Sequence, residues 1–161
     1  MVGGLYDWSV GYDINASAQV VGASVSASGW KNAVLWSGSV ATELGTLGGY
    51  KSEAYSINDF GTVIGMSDTA DNLRSVPFIY MDETMYSLED LLIPGSGVTG
   101  LRVNYFHHSI NNEGQIAASG VIGGELHALI LNPVTVPEPS ILALFGSAWV
   151  WLLGRRPKPQ V

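Results

Sequence analysis

The sequence predicts an all-β fold made of repeated four-stranded antiparallel units, followed by a hydrophobic helix at the C-terminus. Three observations carry this. Short runs rich in Val, Ile, Thr, Tyr and Trp are separated by turns containing some of the 20 Gly. One segment recurs three times without gaps. The chain then closes on an uncharged apolar run that ends in arginines.

The recurring segment is "DINASAQVVGAS" (13–24), "SINDFGTVIGMS" (56–67) and "SINNEGQIAASG" (109–120). Ile14, Ile57 and Ile110 are equivalent, as are Asn15, Asn58 and Asn111. A second module follows each: "NAVLW" (32–36), "VPFIY" (76–80) and "HALIL" (127–131). From each Ile to the second residue of that module is 19, 20 and 18 residues. A spacing held this closely, with a period of about 40–50 residues, is the mark of solenoids, propellers or arrays.

The middle copy reads as four strands in order. "EAYSI" (53–57) comes first, and "NDFG" turns, with Gly61 free to take positive φ. "TVIGMS" (62–67) returns, and "DTADNLR" (68–74) is a polar loop. "VPFIYM" (76–81) is the third strand, "DET" (82–84) a turn, and "MYSLEDL" (85–91) the fourth. The first copy has the same order and ends in "SVATELGTLGG" (39–49). The third lacks a clear fourth strand. "MVGG" (1–4) matches "TLGG" (46–49) and reads as the end of a fourth strand, so the pattern begins inside a unit. The expectation is that earlier blades and a signal peptide precede Met1; otherwise the units form an open curved stack with an exposed first edge.

Four antiparallel strands per unit is the pattern of a β-propeller blade, and three blades make only a partial propeller-like array. A β-trefoil also uses three four-stranded units and stays open as an alternative. The boundaries are a β-repeat domain over 1–133, with repeats at about 3–49, 50–92 and 93–133. A Pro-rich linker and sorting motif follow at 134–140, a helix at 141–154, and a basic tip at 155–161.

The units resemble HAF repeats, on the evidence of the "IN…G" turns, "LGTLGG" (44–49) and the partial tripeptide His127-Ala128-Leu129. The other copies depart from that tripeptide, with Asn32-Ala33-Val34 and Val76-Pro77-Phe78. The resemblance spans residues 3–131 and implies a repeated extracellular β architecture, with no activity attached.

The tail has its own logic. "ILALFGSAWVWLL" (141–153) has 13 residues without a charge. As a helix it spans about 20 Å at 1.5 Å per residue, against a bilayer core of about 30 Å. Ile141, Leu142, Leu144, Phe145, Leu152 and Leu153 would face lipid; Trp149 and Trp151 would lie near a headgroup region, with Arg155 and Arg156 as a basic stop on the cytoplasmic side. A buried core helix is the rival reading, but a basic tip and flanking prolines do not belong beside a packed helix. Pro137 and Pro139 hold the preceding chain extended. Val136, Pro137, Glu138 and Pro139, the apolar run and the arginines together closely resemble a PEP-CTERM sorting signal. That resemblance implies export across a Gram-negative inner membrane, transient anchoring there, and recognition by an exosortase that cuts near Pro137-Glu138-Pro139. The exported body would then reach the cell surface or the medium.

Charge and composition exclude other classes. Residues 1–133 carry four Lys/Arg against 13 Asp/Glu, a balance of −9. Such a body repels phosphate backbones, so no nucleic-acid partner is expected. The absence of Cys removes disulfides, thiolate nucleophiles and Cys-based metal sites. "MVGGLYDWSVGYDIN" has no basic n-region and no apolar h-region. His107 and His108 are neighbours and point apart in a strand, and His127 is in another strand, so no metal site is expected. Asp68, Asp71 and Asn72 share a loop with calcium-type oxygens but not an EF-hand spacing, so a solvated loop is expected. Asp82-Glu83 and Glu89-Asp90 are adjacent pairs and do not converge as a glycosidase dyad does. The three repeated asparagines read as turn formers. Trp8, Trp30 and Trp36 suit sugar stacking, yet packing between strands is the expectation.

The expected function is therefore a non-enzymatic, exported envelope or matrix protein without cofactors. The alternatives are an exopolysaccharide-binding module or a truncated propeller enzyme.

Overall fold

In a computed structural model of the chain, the described residues are 8–104 and 108–134. The chain divides into two compact units, Met1–Leu131 and Asn132–Val161. Only 132–134 of the second are described, so the 141–154 helix, Val136–Pro139, Arg155, Arg156, His107 and "MVGG" lie outside the described residues.

The fold is all-β, with three antiparallel sheets and no helix among the described residues. The first sheet has the order β1-β2-β3-β4: Ser9–Ile14, Gln19–Val25, Lys31–Ser37 and Val40–Gly45. The second has the order β5-β6-β7-β8: Gly48–Ile57, Val63–Thr69, Ser75–Met81 and Thr84–Ser87. The third is β11-β10-β9, with β9 at Thr99–Arg102, β10 at Ile116–Ile122 and β11 at Glu125–Leu131.

The sequence repeat is also a register repeat. Ile14 faces Val20, Ile57 faces Val63, and Ile110 bridges Ile116. In the first two sheets the first strand carries one extra residue at the same place, Tyr12 between Gly11 and Asp13, and Tyr55 between Ala54 and Ser56. These are β-bulges, which bend a strand and let it turn a corner. The two bulged rings meet edge to face, with centroids 5.7 Å apart.

Each equivalent turn is built by its asparagine. The Asn15 backbone N–H donates to the Gln19 carbonyl, and its Oδ1 accepts from Ser17 and Gln19 N–H. Asn58 does the same with Thr62, Phe60 and Thr62 again, and Asn111 with Gln115. The fourth turn residue is left-handed: φ is 80° at Gly61, 76° at Gly114 and 56° at Ala18, the one non-glycine of the three.

The turns are stacked. Asn15 Nδ2 donates to the Asn58 carbonyl at 3.1 Å, and Asn58 Nδ2 donates to the Asn111 carbonyl at 3.2 Å. Beside them, Ala16 N–H donates to Asp59, and Asp59 N–H donates to Asn112. Both backbone and amide groups that would otherwise face the gap between sheets are thereby satisfied.

Packing follows the two-residue period of strands. Val63 and Phe78 join Val21, Ala33, Leu44, Ala54 and Ile57 between the first and second sheets. Their neighbours Ile64 and Ile79 join Leu88, Leu101, Val103, Ile110 and Ile116 on the other side. The middle sheet is thus covered on both faces, which is why "VPFIY" is a continuous apolar run rather than an alternating one. Burying a ring such as Phe78 contributes roughly 1.5–3 kcal/mol.

Three details differ from the sequence reading. The fourth strand of the first unit ends at Gly45; "TLGG" leads into β5, whose first residues are Gly48 and Gly49. The fourth strand of the second unit stops at Ser87, and Glu89 to Leu92 close a turn instead. The third unit opens with β9, set apart from Ser109 because six residues, 103–108, stand in the sequence where the second unit has two, Ala54 and Tyr55. Its sheet holds three strands among the described residues, in line with the missing fourth strand of the sequence reading. By register, Pro133 occupies the position of Gly38 and Asp82, whose φ values are 59° and 48°. The proline ring fixes φ near −65°, so that two-residue hairpin cannot form.

Candidate functional site

The seam between the first and second sheets carries exposed aromatic rings and lysines. Trp8 precedes β1, and its carbonyl accepts from Val25 N–H and Ser24 Oγ, which fixes it against the end of β2. Val25 pairs with Lys31 on β3, and the Lys31 ammonium lies 4.5 Å from the centroid of the Trp8 ring. Lys31 also reaches Glu53 on β5 at 3.6 Å. Trp30 ends the β2–β3 turn, where Ser26 N–H donates to its carbonyl. Its ring stacks on Tyr50 of β5, with centroids 5.2 Å apart and planes 9° apart. The Lys51 ammonium lies 5.1 Å from the Trp30 centroid. Cations attract the negative faces of aromatic rings, so each contact holds both partners in place.

Tyr50 is itself held by the polar loop of the second sheet. Its N–H donates to Asn72 Oδ1 at 2.7 Å, and Asn72 is left-handed with φ 56°. Asp71 braces that loop by accepting from the Thr69 hydroxyl and from Leu73 N–H, which hold its carboxyl below the usual carboxylate range. Asn72 and Asp71 thus bond the backbone of Tyr50 and of the loop itself.

Three tryptophans were expected between strands, and only Trp36 is there, at 7% exposure. Trp8 and Trp30 are 41% and 40% exposed, and Tyr50 is 56% exposed. Trp36 lies within β3, paired with Val20 on one side and Ala41 on the other, whereas Trp8 precedes β1 and Trp30 ends the β2–β3 turn, where both remain exposed. The lysines were not singled out from the sequence. A signal was present: Lys31 follows Trp30, and Lys51 follows Tyr50.

Most of the other candidate groups are engaged in turns and ion pairs. His108 Nδ1 lies 3.0 Å from Asp13 Oδ1, and the buried Asp13 carboxylate also accepts from Ile14 and Ile57 N–H. His127 is exposed on β11 opposite Gly120. Asp82 and Glu83 are both left-handed and form the β7–β8 turn. Glu89 meets Arg74 at 3.4 Å. Asp59 caps the neighbouring turn; its carboxyl is held below its ordinary value first by Ala16 N–H and then by Asn112. No group of three or more His, Asp or Glu capable of holding a metal ion occurs among the described residues. No protein family, curated protein or solved structure matches the chain.

Proposed function

We propose that this is an exported, non-enzymatic protein of the cell envelope or extracellular matrix, delivered by its tail and acting through surface contact. In this reading the register-matched sheets are blades of a propeller-like array, and Val136–Pro139, the 141–154 run and Arg155-Arg156 form the removable sorting handle. The observation that carries the contact role is the exposed Trp8, Trp30 and Tyr50 seam. Aromatic rings left in water at a fixed position are a costly arrangement for a body that has an apolar interior available, and they are suited to stacking. The carboxylates and histidines engaged in turns and ion pairs support a non-catalytic role. The same seam favours exopolysaccharide as the contacted material, since sugar rings present flat C–H faces to aromatic rings.

The delivery part is tested by expressing the full chain and a Glu138→Ala variant in a Gram-negative host that carries an exosortase. The wild-type body is expected to lose its tail and leave the inner membrane. The variant is expected to stay full-length in the membrane fraction. Equal processing of both contradicts the assignment.

A further inference from the structure

The geometry points to a carboxylate-bearing glycan as the ligand of this seam, with Lys51 as the residue that recognises its charge; this rests on the contact reading above. The argument starts from an imbalance. Residues 1–133 hold 13 carboxylates, yet Lys51 pairs with none of them among the described residues. Its one described side-chain partner is the face of Trp30. The neighbouring cations differ: Lys31 is offset by Glu53, and Arg74 by Glu89. Lys51 is therefore an exposed charge held at a fixed place by a ring, beside a second ring, Tyr50, that is 56% exposed.

A sugar ring stacked on the exposed part of Tyr50 or Trp30 brings its substituents to the level of Lys51. A carboxylate there gains a charge-assisted hydrogen bond at the edge of an aromatic surface, where water competes less than in bulk. One such contact fits a uronic acid.

Isothermal titration of the detergent-solubilised full chain tests this, with oligogalacturonate, a neutral dextran oligosaccharide and single-stranded oligo-dT as probes. Oligogalacturonate is expected to bind best. Lys51→Met keeps an apolar stem against Trp30 and removes the charge. It is expected to weaken oligogalacturonate about tenfold or more, the scale of one charge-assisted bond, and to leave dextran unchanged. Tyr50→Ala is expected to weaken both sugars. If Lys51→Met changes nothing while Tyr50→Ala weakens both sugars, the acidic-glycan assignment is overturned and the sugar-contact reading stands. If neither sugar binds, both are overturned. If oligo-dT binds as tightly as oligogalacturonate, the ligand class is wrong.

Discussion

Gly65→Ala is expected to destabilise the body by about 3 kcal/mol, the upper end of overpacking costs. Gly65 lies on β6 opposite Ala54, next to the bulge at Tyr55. The bulge pushes the Glu53 carbonyl toward β6, so a Cβ at Gly65 would land on that oxygen. It would also lie 2.8 Å from Phe78 Cε1 and 2.9 Å from Ala54 Cα. None of these is a flexible side-chain end: two belong to the backbone and one to a buried ring. Gly22 repeats the situation against the Val10 carbonyl in the first sheet. The third sheet supplies the control. Ala118 stands at the equivalent position, because β9 ends at Arg102 and the paired, bulged segment found in the other sheets is interrupted there. Ala118→Gly is expected to cost about 0.5–1 kcal/mol, the ordinary entropic penalty of glycine in a strand. Urea unfolding of the two variants reads the contrast; equal losses would mean that the bulges do not approach β2 and β6 as described.

Asp13→Ala is expected to cost about 3 kcal/mol and to lower the melting temperature by about 6–12 °C, read by thermal unfolding. The Asp13 side chain is 3% exposed, and its carboxylate accepts from Ile14 N–H at 2.7 Å and Ile57 N–H at 2.9 Å. Removing it leaves two backbone donors without that acceptor, one on each of two sheets. The His108 contact adds little, because that side chain is 76% exposed and solvent screens it. The repeat suggests the rescue. Ser56 and Ser109 occupy the position of Asp13, and Ser56 Oγ accepts from Ser109 N–H at 3.1 Å. Serine at this position bonds the amide one residue earlier, that of Ser109 rather than of Ile110, so Asp13→Ser is expected to recover a part of the loss and not all of it. If Ala and Ser behave alike, the bond from Ile57 does not join the two sheets.

The strand order of the first two units was legible because each turn carries its own chemistry. Ile-Asn starts it, a left-handed residue closes it, and Val, Ile or Gln begins the return. The asparagine side chains satisfy the backbone locally, so this information needs no distant partner. β9 was not legible. "TGLR" has no distinctive alternation, and the insertion at 103–108 separates it from Ser109; the longer spacing of 53 residues, against 43, was the trace it left. The stacking of the turns was also hidden, since Asn58 Nδ2 bonds a carbonyl 53 residues away. The seam was half visible. Aromatic residues and lysines could be read off the chain, but Trp30 and Tyr50 meet only because β5 crosses beside the β2–β3 turn.

Hydrogen–deuterium exchange of the Ile57 and Ser109 amides tests the stacked repeat most directly. Both donate to a side chain of the preceding unit rather than to a neighbouring strand. If the sheets are joined as described, these two amides exchange as slowly as that of the fully buried Ile64 on β6, through global unfolding. Exchange at the rate of the exposed β7–β8 turn amides would show that the units do not stack, and the seam built between them would fall with that result.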